Sequence, residues 1–353
     1  MSGTDVTIAG RRIGPGHPPY VIAELSGNHN GDIGRALAIM EMAARAGADA
    51  VKLQTYTADT ITIDCDLPDF TIKGGLWDGR TLHELYEEAH TPWDWHPRLF
   101  EKGRELGLAV FSSPFDATAV DFLENLDAPA YKIASFEAVD LELITKVAAT
   151  GKPMIMSTGM ADRAEIEEAV ATARKGGCRE LILLHCISGY PTPVAESNLA
   201  TIPDLAANFD AVIGLSDHTL GTAVSIAAIA LGACVIEKHV TLARADGGPD
   251  AAFSLEPAEL AELCASTRAA FDAMGRVDYG LKSSEQGNAQ FRRSIYAIAD
   301  IAAGAALDRG NIRVIRPGHG LAPRHLPDVL GRPAKKAIPR GTPITFDLLG
   351  EKA

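Results

Sequence analysis

Eight short apolar, β-rich runs alternate with stretches of helical length over roughly the first 275 residues, and this repeat restricts the fold more than any other feature. The runs are Tyr20–Leu25, Ala50–Gln54, Ala109–Ser113, Ala130–Ile133, Met154–Ser157, Leu181–Cys186, Val212–Leu215 and Cys234–His239. Between them, Gly34–Ala46 carries Leu37, Met40 and Ala44 at helical spacing, and Ala164–Lys175 carries Ile166, Val170 and Ala173 on one face. Boundary signals separate the units: Ala-Gly-Ala-Asp before the second run, Ala-Thr-Gly-Lys-Pro before the fifth, Leu-Gly-Ala-Cys before the eighth. Eight βα units predict an α/β fold of the (β/α)8, or TIM-barrel, type. A doubly wound open sheet is the alternative. It would need a Gly-rich dinucleotide turn after the first strand, and Leu25-Ser26-Gly27-Asn28-His29-Asn30-Gly31 is not one.

The texture changes after Leu281. Ser294–Asp300, Asn311–Ile315 and Pro343–Phe346 read as short strands between Gly and Pro turns, which predicts a separate small β-rich domain over 291–353. The expected organisation is a barrel over 1–281, a polar linker at Lys282–Gln290, and that domain. Fully extended, the linker would reach about 30 Å. At the other end, Val6–Ile13 reads as a short strand pair closed by Gly14-Pro15-Gly16.

A barrel places its chemistry at the C-terminal ends of its strands. Here those ends present Glu24 and Asn28, Lys52 and Gln54, Ser112 and Ser113, Lys132 and Ser135, Ser157 and Thr158, Ser188 and Tyr190, Ser216 and His218, and Glu237 and His239. Nearly every strand ends in a group able to bind phosphate, carboxylate, hydroxyl or metal, where a chance distribution would leave several ends apolar. Taken singly, Lys52 or Lys132 reads as a surface lysine. Two lysines at barrel ends among several hydroxyls read better as a phosphate and carboxylate site. The net charge of −13 sharpens this, because an acidic chain that binds an anion must supply cations locally. The same charge argues against nucleic-acid binding. His218 and His239 lie at the ends of neighbouring strands about 4.8 Å apart, close enough for two imidazoles to share one ion; the competing reading is two histidines that bind substrate directly. Asp217 and Glu237 are candidate orienters or substrate ligands. His29 reads as a loop cap, Trp93-Asp94-Trp95-His96 as packing at a helix start, and Asp250 as either a turn former or a substrate-side carboxylate.

No run approaches the ~20 apolar residues of a membrane helix. The first residues lack the basic start and apolar stretch of a secretory signal. Five cysteines (Cys65, Cys178, Cys186, Cys234, Cys264) without a CxxC predict reduced thiols and a cytoplasmic protein.

Six segments in order and spacing resemble the sialic-acid synthase family: Ile22-Ala23-Glu24-Leu25-Ser26-Gly27-Asn28-His29-Asn30-Gly31, Val51-Lys52-Leu53-Gln54, Tyr131-Lys132-Ile133-Ala134-Ser135, Ser157-Thr158-Gly159-Met160, Gly214-Leu215-Ser216-Asp217-His218-Thr219 and Val235-Ile236-Glu237-Lys238-His239. Phe291-Arg292-Arg293-Ser294 and Arg316-Pro317-Gly318-His319-Gly320 resemble its C-terminal antifreeze-like (SAF, β-clip) domain. Trp77-Asp78-Gly79-Arg80-Thr81-Leu82, Tyr86-Glu87-Glu88-Ala89-His90-Thr91-Pro92-Trp93 and Gly247-Gly248-Pro249-Asp250-Ala251-Ala252-Phe253-Ser254-Leu255 look most like the pseudaminic acid synthases within that family; the legionaminic and N-acetylneuraminic acid synthases are the neighbouring alternatives. One departure stands at the sixth strand, where Cys186 is followed by Ile187 and not by a hydroxylated residue.

The resemblance implies an enzyme that joins phosphoenolpyruvate to 2,4-diacetamido-2,4,6-trideoxy-altrose and releases phosphate by C–O cleavage. It implies that Lys52, Ser113, Lys132, Ser135, Ser157, Ser188 and Ser216 hold phosphoenolpyruvate. A divalent ion, Mn²⁺ or Mg²⁺, would sit on His218 and His239. Glu24, Gln54, Tyr190, Glu237 and Asp250 would bind the sugar or move protons. Arg316 would reach the sugar from the other subunit of a domain-swapped homodimer. Two rival readings remain at this point: a Schiff-base aldolase on Lys132 or Lys52, and a carbohydrate-binding protein whose C-terminal module is the active part.

Overall fold

The computed structural model describes residues 5–351. The described residues form two compact units, divided between Gly275 and Arg276. In the first, eight parallel strands close into a barrel: β3 (Tyr20–Glu24), β4 (Ala50–Thr55), β5 (Ala109–Pro114), β6 (Tyr131–Ile133), β7 (Met154–Ser157), β8 (Leu181–Cys186), β9 (Val212–Ser216) and β10 (Val235–His239). Each pairs with the next, and β10 returns to β3 with Val235 opposite Tyr20 and His239 opposite Glu24. The eight strands lie within a residue of the apolar runs, and no open sheet forms. The helices start and stop where the chain supplies caps. Asp162 accepts the Glu165 N–H while Glu165 returns the bond to Asp162 N, opening the helix Arg163–Gly176. Asp32 caps Ile33–Ala46, which ends at Gly47 with φ +91°, a conformation glycine adopts without cost.

Strand alternation sorts the side chains into two cores. Outward residues such as Val21, Val51, Leu183 and Ile236 pack against the helices. Inward residues Ile22, Phe111, Ile155, Leu184 and Val235 fill the barrel and join Val6, Ile8 and Ile13. Those last three come from the hairpin β1 (Val6–Ile8) and β2 (Arg11–Ile13), whose apolar face packs onto the barrel interior. With this side filled by apolar side chains, the polar strand ends are left to form the opposite mouth.

Behind β9 and β10 lies a buried charge pair. Lys238 Nζ donates to Asp217 Oδ2 at 2.8 Å and to Thr219 O at 2.6 Å, and Asp217 also receives Ser225 Oγ at 2.6 Å. Removing one partner strands the other charge, a loss of about 3–5 kcal/mol. Lys238→Ala is therefore expected to lower the melting temperature markedly, while the matched pair Asp217→Leu/Lys238→Met costs far less. Equal melting temperatures for the wild type and Lys238→Ala would show that the pair carries no stability.

The second unit has its own core, with Ile295, Leu307, Ile312, Ile338 and Ile344 among its members. Strands β11 (Ser294–Ala297) and β12 (Ile312–Ile315) pair antiparallel. The third expected strand, Pro343–Phe346, is reduced to a bridge between Tyr296 and Pro343, because Pro343 has no N–H to donate and the chain turns into a 3-10 helix at Phe346. The segment read as the linker, Lys282–Gln290, is largely the 3-10 helix Ser283–Phe291, started by Glu285 accepting the Lys282 N–H. At about 2 Å per residue it spans roughly 18 Å and not 30 Å.

Candidate active site

The strand ends converge on a cavity of about 490 Å³ at the barrel mouth. Its floor is a buried cluster of two lysines and two glutamates. Lys52 Nζ lies 2.7 Å from Glu24 Oε2 and 3.6 Å from Glu237 Oε1, and Lys132 Nζ lies 3.1 Å from Glu237 Oε1. Lys132 is only 2% exposed. These residues meet because the barrel places inward positions of β3, β4, β6 and β10 on one ring. Gln54 Nε2 donates to Glu24 at 2.9 Å and to Ser26 Oγ at 3.2 Å, while Lys52 Nζ donates to Ser113 Oγ at 3.3 Å.

The two carboxyls are driven apart in acidity. Burial is the largest influence on Glu24; Lys52 opposes it, Glu237 adds to it, and the group is pushed up to about 7. Burial also acts on Glu237, but Lys132 and Lys52 together outweigh it and hold this carboxyl below its ordinary value. A carboxyl raised on folding contributes stability that is complete below its unfolded value near 4.5 and is lost as pH rises through about 7. Glu24→Gln removes that proton-linked contribution. Relative to wild type, the variant should therefore melt higher at pH 8 than at pH 5. Thermal unfolding at the two pH values checks this, and a pH-independent difference would contradict it.

On one side of the cluster the chain leaves room for an oxyanion. Gly159 N–H donates to Ser135 Oγ at 3.2 Å. A Cβ at Gly159 would collide with Ser188 Oγ and lie 2.7 Å from Ser135 Oγ, so only glycine leaves this polar cradle open. Ser157 Oγ, also at the cavity, is buried without a hydrogen-bond partner.

On the other side stand His218 and His239, with ring centres 5.4 Å apart. His218 Nδ1 meets the Ile187 carbonyl at 3.0 Å; a carbonyl only accepts, so Nδ1 carries the proton and Nε2 keeps its lone pair. Ile187 thus serves the site through its backbone carbonyl. Burial foremost, together with the lysine ammoniums nearby, lowers His239 well below the ordinary imidazole value. Its buried Nδ1 has no hydrogen-bond partner and lies 3.6 Å from Asp250 Oδ2. The Asp250 carboxylate accepts a hydrogen bond from Ser26 Oγ. Tyr190 packs its ring 4.6 Å from that of His218.

A model of the NeuB family matches residues 39–279, and a SAF domain model matches residues 292–350. The chain belongs to the NeuB family. It is 40% identical over 331 residues to the pseudaminic acid synthase of Helicobacter pylori, covering 94% of this chain and 97% of that one. It is 42% identical over 322 residues to the pseudaminic acid synthase of Campylobacter jejuni, covering 91% and 94%. Among solved structures, the N-acetylneuraminic acid synthetase of Leptospira borgpetersenii superposes with a TM-score of 0.73 at 31% identity, over 81% of this chain and 95% of that one. The resemblance read from the six motifs is thus a true family relationship, and it makes the chain a transferase of the NeuB type.

Of the residues singled out in this NeuB-family sequence, Lys52, Gln54, Lys132, Ser135, Ser157, Tyr190, Ser216, His218, Glu237, His239 and Asp250 line the cavity. Glu24 and Ser113 are buried directly behind it against Lys52, and Ser188 stands beside Gly159. Arg316 follows β12 in the second unit. Three expectations are corrected. Asp217 points away from the cavity to Lys238, because it is offset by one residue from the inward Ser216 and His218. Ser112 is likewise turned outward to Thr55 at 2.6 Å. Asn28 is consumed in fastening loops, donating to Val240 O and Ser254 Oγ. His29 caps its loop by accepting the Gly31 N–H, and Trp93 stacks on Phe122. Sequence reasoning missed Ser26, Trp77 and Glu137 at the cavity. Ser26 sits two residues past the inward strand-end Glu24, so the period of two could have found it, whereas Glu137 lies in the 3-10 turn Ser135–Glu137 beyond β6, where that period no longer holds. Trp77 comes from a long connection with no periodic signal. Burial pushes the Glu137 carboxyl up to about 7, against the opposing Lys132 and Lys52 charges.

Proposed function

We propose that the chain carries out the reaction of a pseudaminic acid synthase: phosphoenolpyruvate, 2,4-diacetamido-2,4,6-trideoxy-altrose and water give the nine-carbon acid and phosphate. The observation that carries this reading is the floor of the cavity. Two buried lysines and a hydroxyl-lined glycine cradle face an imidazole pair, in a chain whose curated relatives at 40–42% identity bear that name.

Phosphoenolpyruvate carries a phosphate and a carboxylate. Lys52 and Lys132 neutralise them, and Ser113, Ser135, Ser157, Ser188 and Ser216 give directional bonds. Gln54, Tyr190 and Asp250 line the sugar side, with Glu24 behind Gln54. The donor set suits a divalent ion: two imidazoles with free lone pairs, one of them with an orphaned buried nitrogen near a carboxylate. Among the described residues no cluster of three or more His, Cys, Asp or Glu side chains is poised as metal ligands, so His218 and His239 would leave most coordination positions to substrate and water. Mn²⁺ or Mg²⁺ held there would supply Lewis-acid polarisation of the aldehyde.

In the reaction C3 of the enol attacks the aldehyde carbon and forms the new C–C bond. C2 then carries cationic character, which the ionised Glu237 carboxylate favours electrostatically. Water adds to C2, and the C2–O bond to phosphate breaks. Of the two water protons, one ends on the departing phosphate as C2=O forms and the other on the former aldehyde oxygen, so the balance closes. Glu24, poised near pH 7 beneath the floor, is the carboxyl suited to hold that proton in transit. Lys52, despite its burial, is raised by Glu237 and Glu24, which favours its ammonium, whereas burial lowers Lys132 in spite of Glu237, so the trapping experiment on Lys132 decides the Schiff-base rival. Incubation with phosphoenolpyruvate, Mn²⁺ and a panel of amino-sugars should release phosphate with product of the added mass. Borohydride trapping of a lysine adduct with no phosphate release would overturn the reading.

The no-membrane, no-nucleic-acid and cytoplasmic expectations accompany this reading. No helix among the described residues is long and apolar enough to cross a membrane. Arg316 is read, from the family resemblance, as serving the partner's barrel in a homodimer. Mixed dimers of an Arg316→Ala chain and a His218→Ala chain then hold one intact site and should recover up to about half of wild-type activity. Heterodimers without activity would remove the trans role.

A further inference from the structure

The cavity has a second, apolar half that the chemistry above does not use. It begins with the helix Leu82–Ala89, opened by a capping box between Thr81 and Glu84. Leu82, Leu85, Tyr86 and Ala89 stand at i, i+3, i+4 and i+7, a single helical face. An apolar stripe of this kind ordinarily packs onto the core. Here all four residues line the cavity, and none belongs to either core of the barrel unit. Ile72 and Trp77 extend the same wall.

Trp77 fixes where the wall stands. Its Nε1 donates to Pro249 O at 2.9 Å, which ties the long connection after β4 to the loop after β10 and consumes the one polar atom of the indole. Its ring centre lies 5.7 Å from that of Tyr190, which is 4.6 Å from that of His218. The wall therefore stands about two rings away from the imidazole pair, on the side where an acceptor aldehyde held near His218 would extend its far end. Against Ile72, Trp77, Leu82 and Leu85, away from the Tyr86 phenol on the same helical face, a substrate hydroxyl meets no side-chain partner, and a hydroxyl that gives up water without replacing it is disfavoured.

We propose that this wall is the acceptor filter: it takes the methyl end of a 6-deoxy, N-acetylated hexose and discriminates against the same sugar bearing a 6-hydroxyl. The inference rests on reading the cavity as the site where phosphoenolpyruvate meets an amino-sugar. It gives a task to the segment around Trp77 and Tyr86, which the reaction steps leave without one.

The test compares kcat/KM for 2,4-diacetamido-2,4,6-trideoxy-altrose with that for its 6-hydroxy counterpart, in the wild type, Leu82→Asn and Ile72→Asn. Both positions are only partly buried, so the variants should fold, and their melting temperatures verify it. The wild type should prefer the deoxy sugar by about 10- to 100-fold, the range an apolar pocket achieves against one added hydroxyl. At least one variant should narrow the ratio to about threefold or less through the acceptor KM, while Leu82→Met keeps it. Should the wild type prefer the deoxy sugar and both polar variants keep the full ratio, the wall is not the filter. Should the wild type use both sugars equally, the filter is likewise refuted, although condensation itself stands. Should neither sugar yield phosphate while phosphoenolpyruvate still binds by calorimetry, the reading of the site falls and the filter falls with it.

Discussion

Alanine in place of His218 or His239 is expected to lower turnover by about 10²- to 10⁴-fold, the kinetic equivalent of losing several kcal/mol of charge stabilisation in the transition state. Both side chains sit at strand ends on the cavity surface, so truncation opens little internal space and the barrel should keep its melting temperature. Calorimetry should show weakened Mn²⁺ binding in each variant, independently of turnover. Chelator treatment should silence the wild type, and added Mn²⁺ should restore it. Full activity in rigorously metal-free wild type, or unchanged ion affinity in both variants, would reduce the histidines to direct substrate contacts.

Lys132→Met is expected to raise the apparent KM for phosphoenolpyruvate by about 10- to 150-fold, the loss of one charge-assisted contact worth roughly 1.5–3 kcal/mol. Methionine preserves most of the volume at a position that is 2% exposed. Glu237 keeps Lys52 at 3.6 Å, so its carboxylate is not left wholly unpaired. The KM for the sugar should change little. Steady-state kinetics with each substrate varied in turn separate the outcomes, and an equal rise in both constants would take Lys132 out of the anion site.

Much of this site was legible in the chain because a barrel converts sequence period into position. Inward strand residues recur every second position and their last members reach the mouth, so Lys52 and Gln54, Ser216 and His218, and Glu237 and His239 could be assigned to one cavity from spacing alone. Where that parity was ignored the expectation failed, as with Asp217 and Ser112. The segment from Tyr56 to Ala89 was legible only as a likeness to relatives. Its Trp77 is placed by a bond to Pro249, 172 residues on, which no local pattern encodes.

The sequence by itself determined the barrel, the small β-rich unit and the inventory of cations, hydroxyls and imidazoles, because these follow from periodicity and residue type. The tertiary structure decided which groups share a proton or a charge. Glu24 and Glu237 are alike in sequence terms, yet one is pushed up to about 7 and the other held low, because burial, the largest influence on both, is outweighed at Glu237 by Lys132 and Lys52 together, while at Glu24 it is opposed chiefly by Lys52 and reinforced by the Glu237 charge. It also decided that the helix Leu82–Ala89 turns its apolar face to the cavity and not to a core. An amphipathic pattern specifies that a face will be covered, and only the packed chain specifies by what.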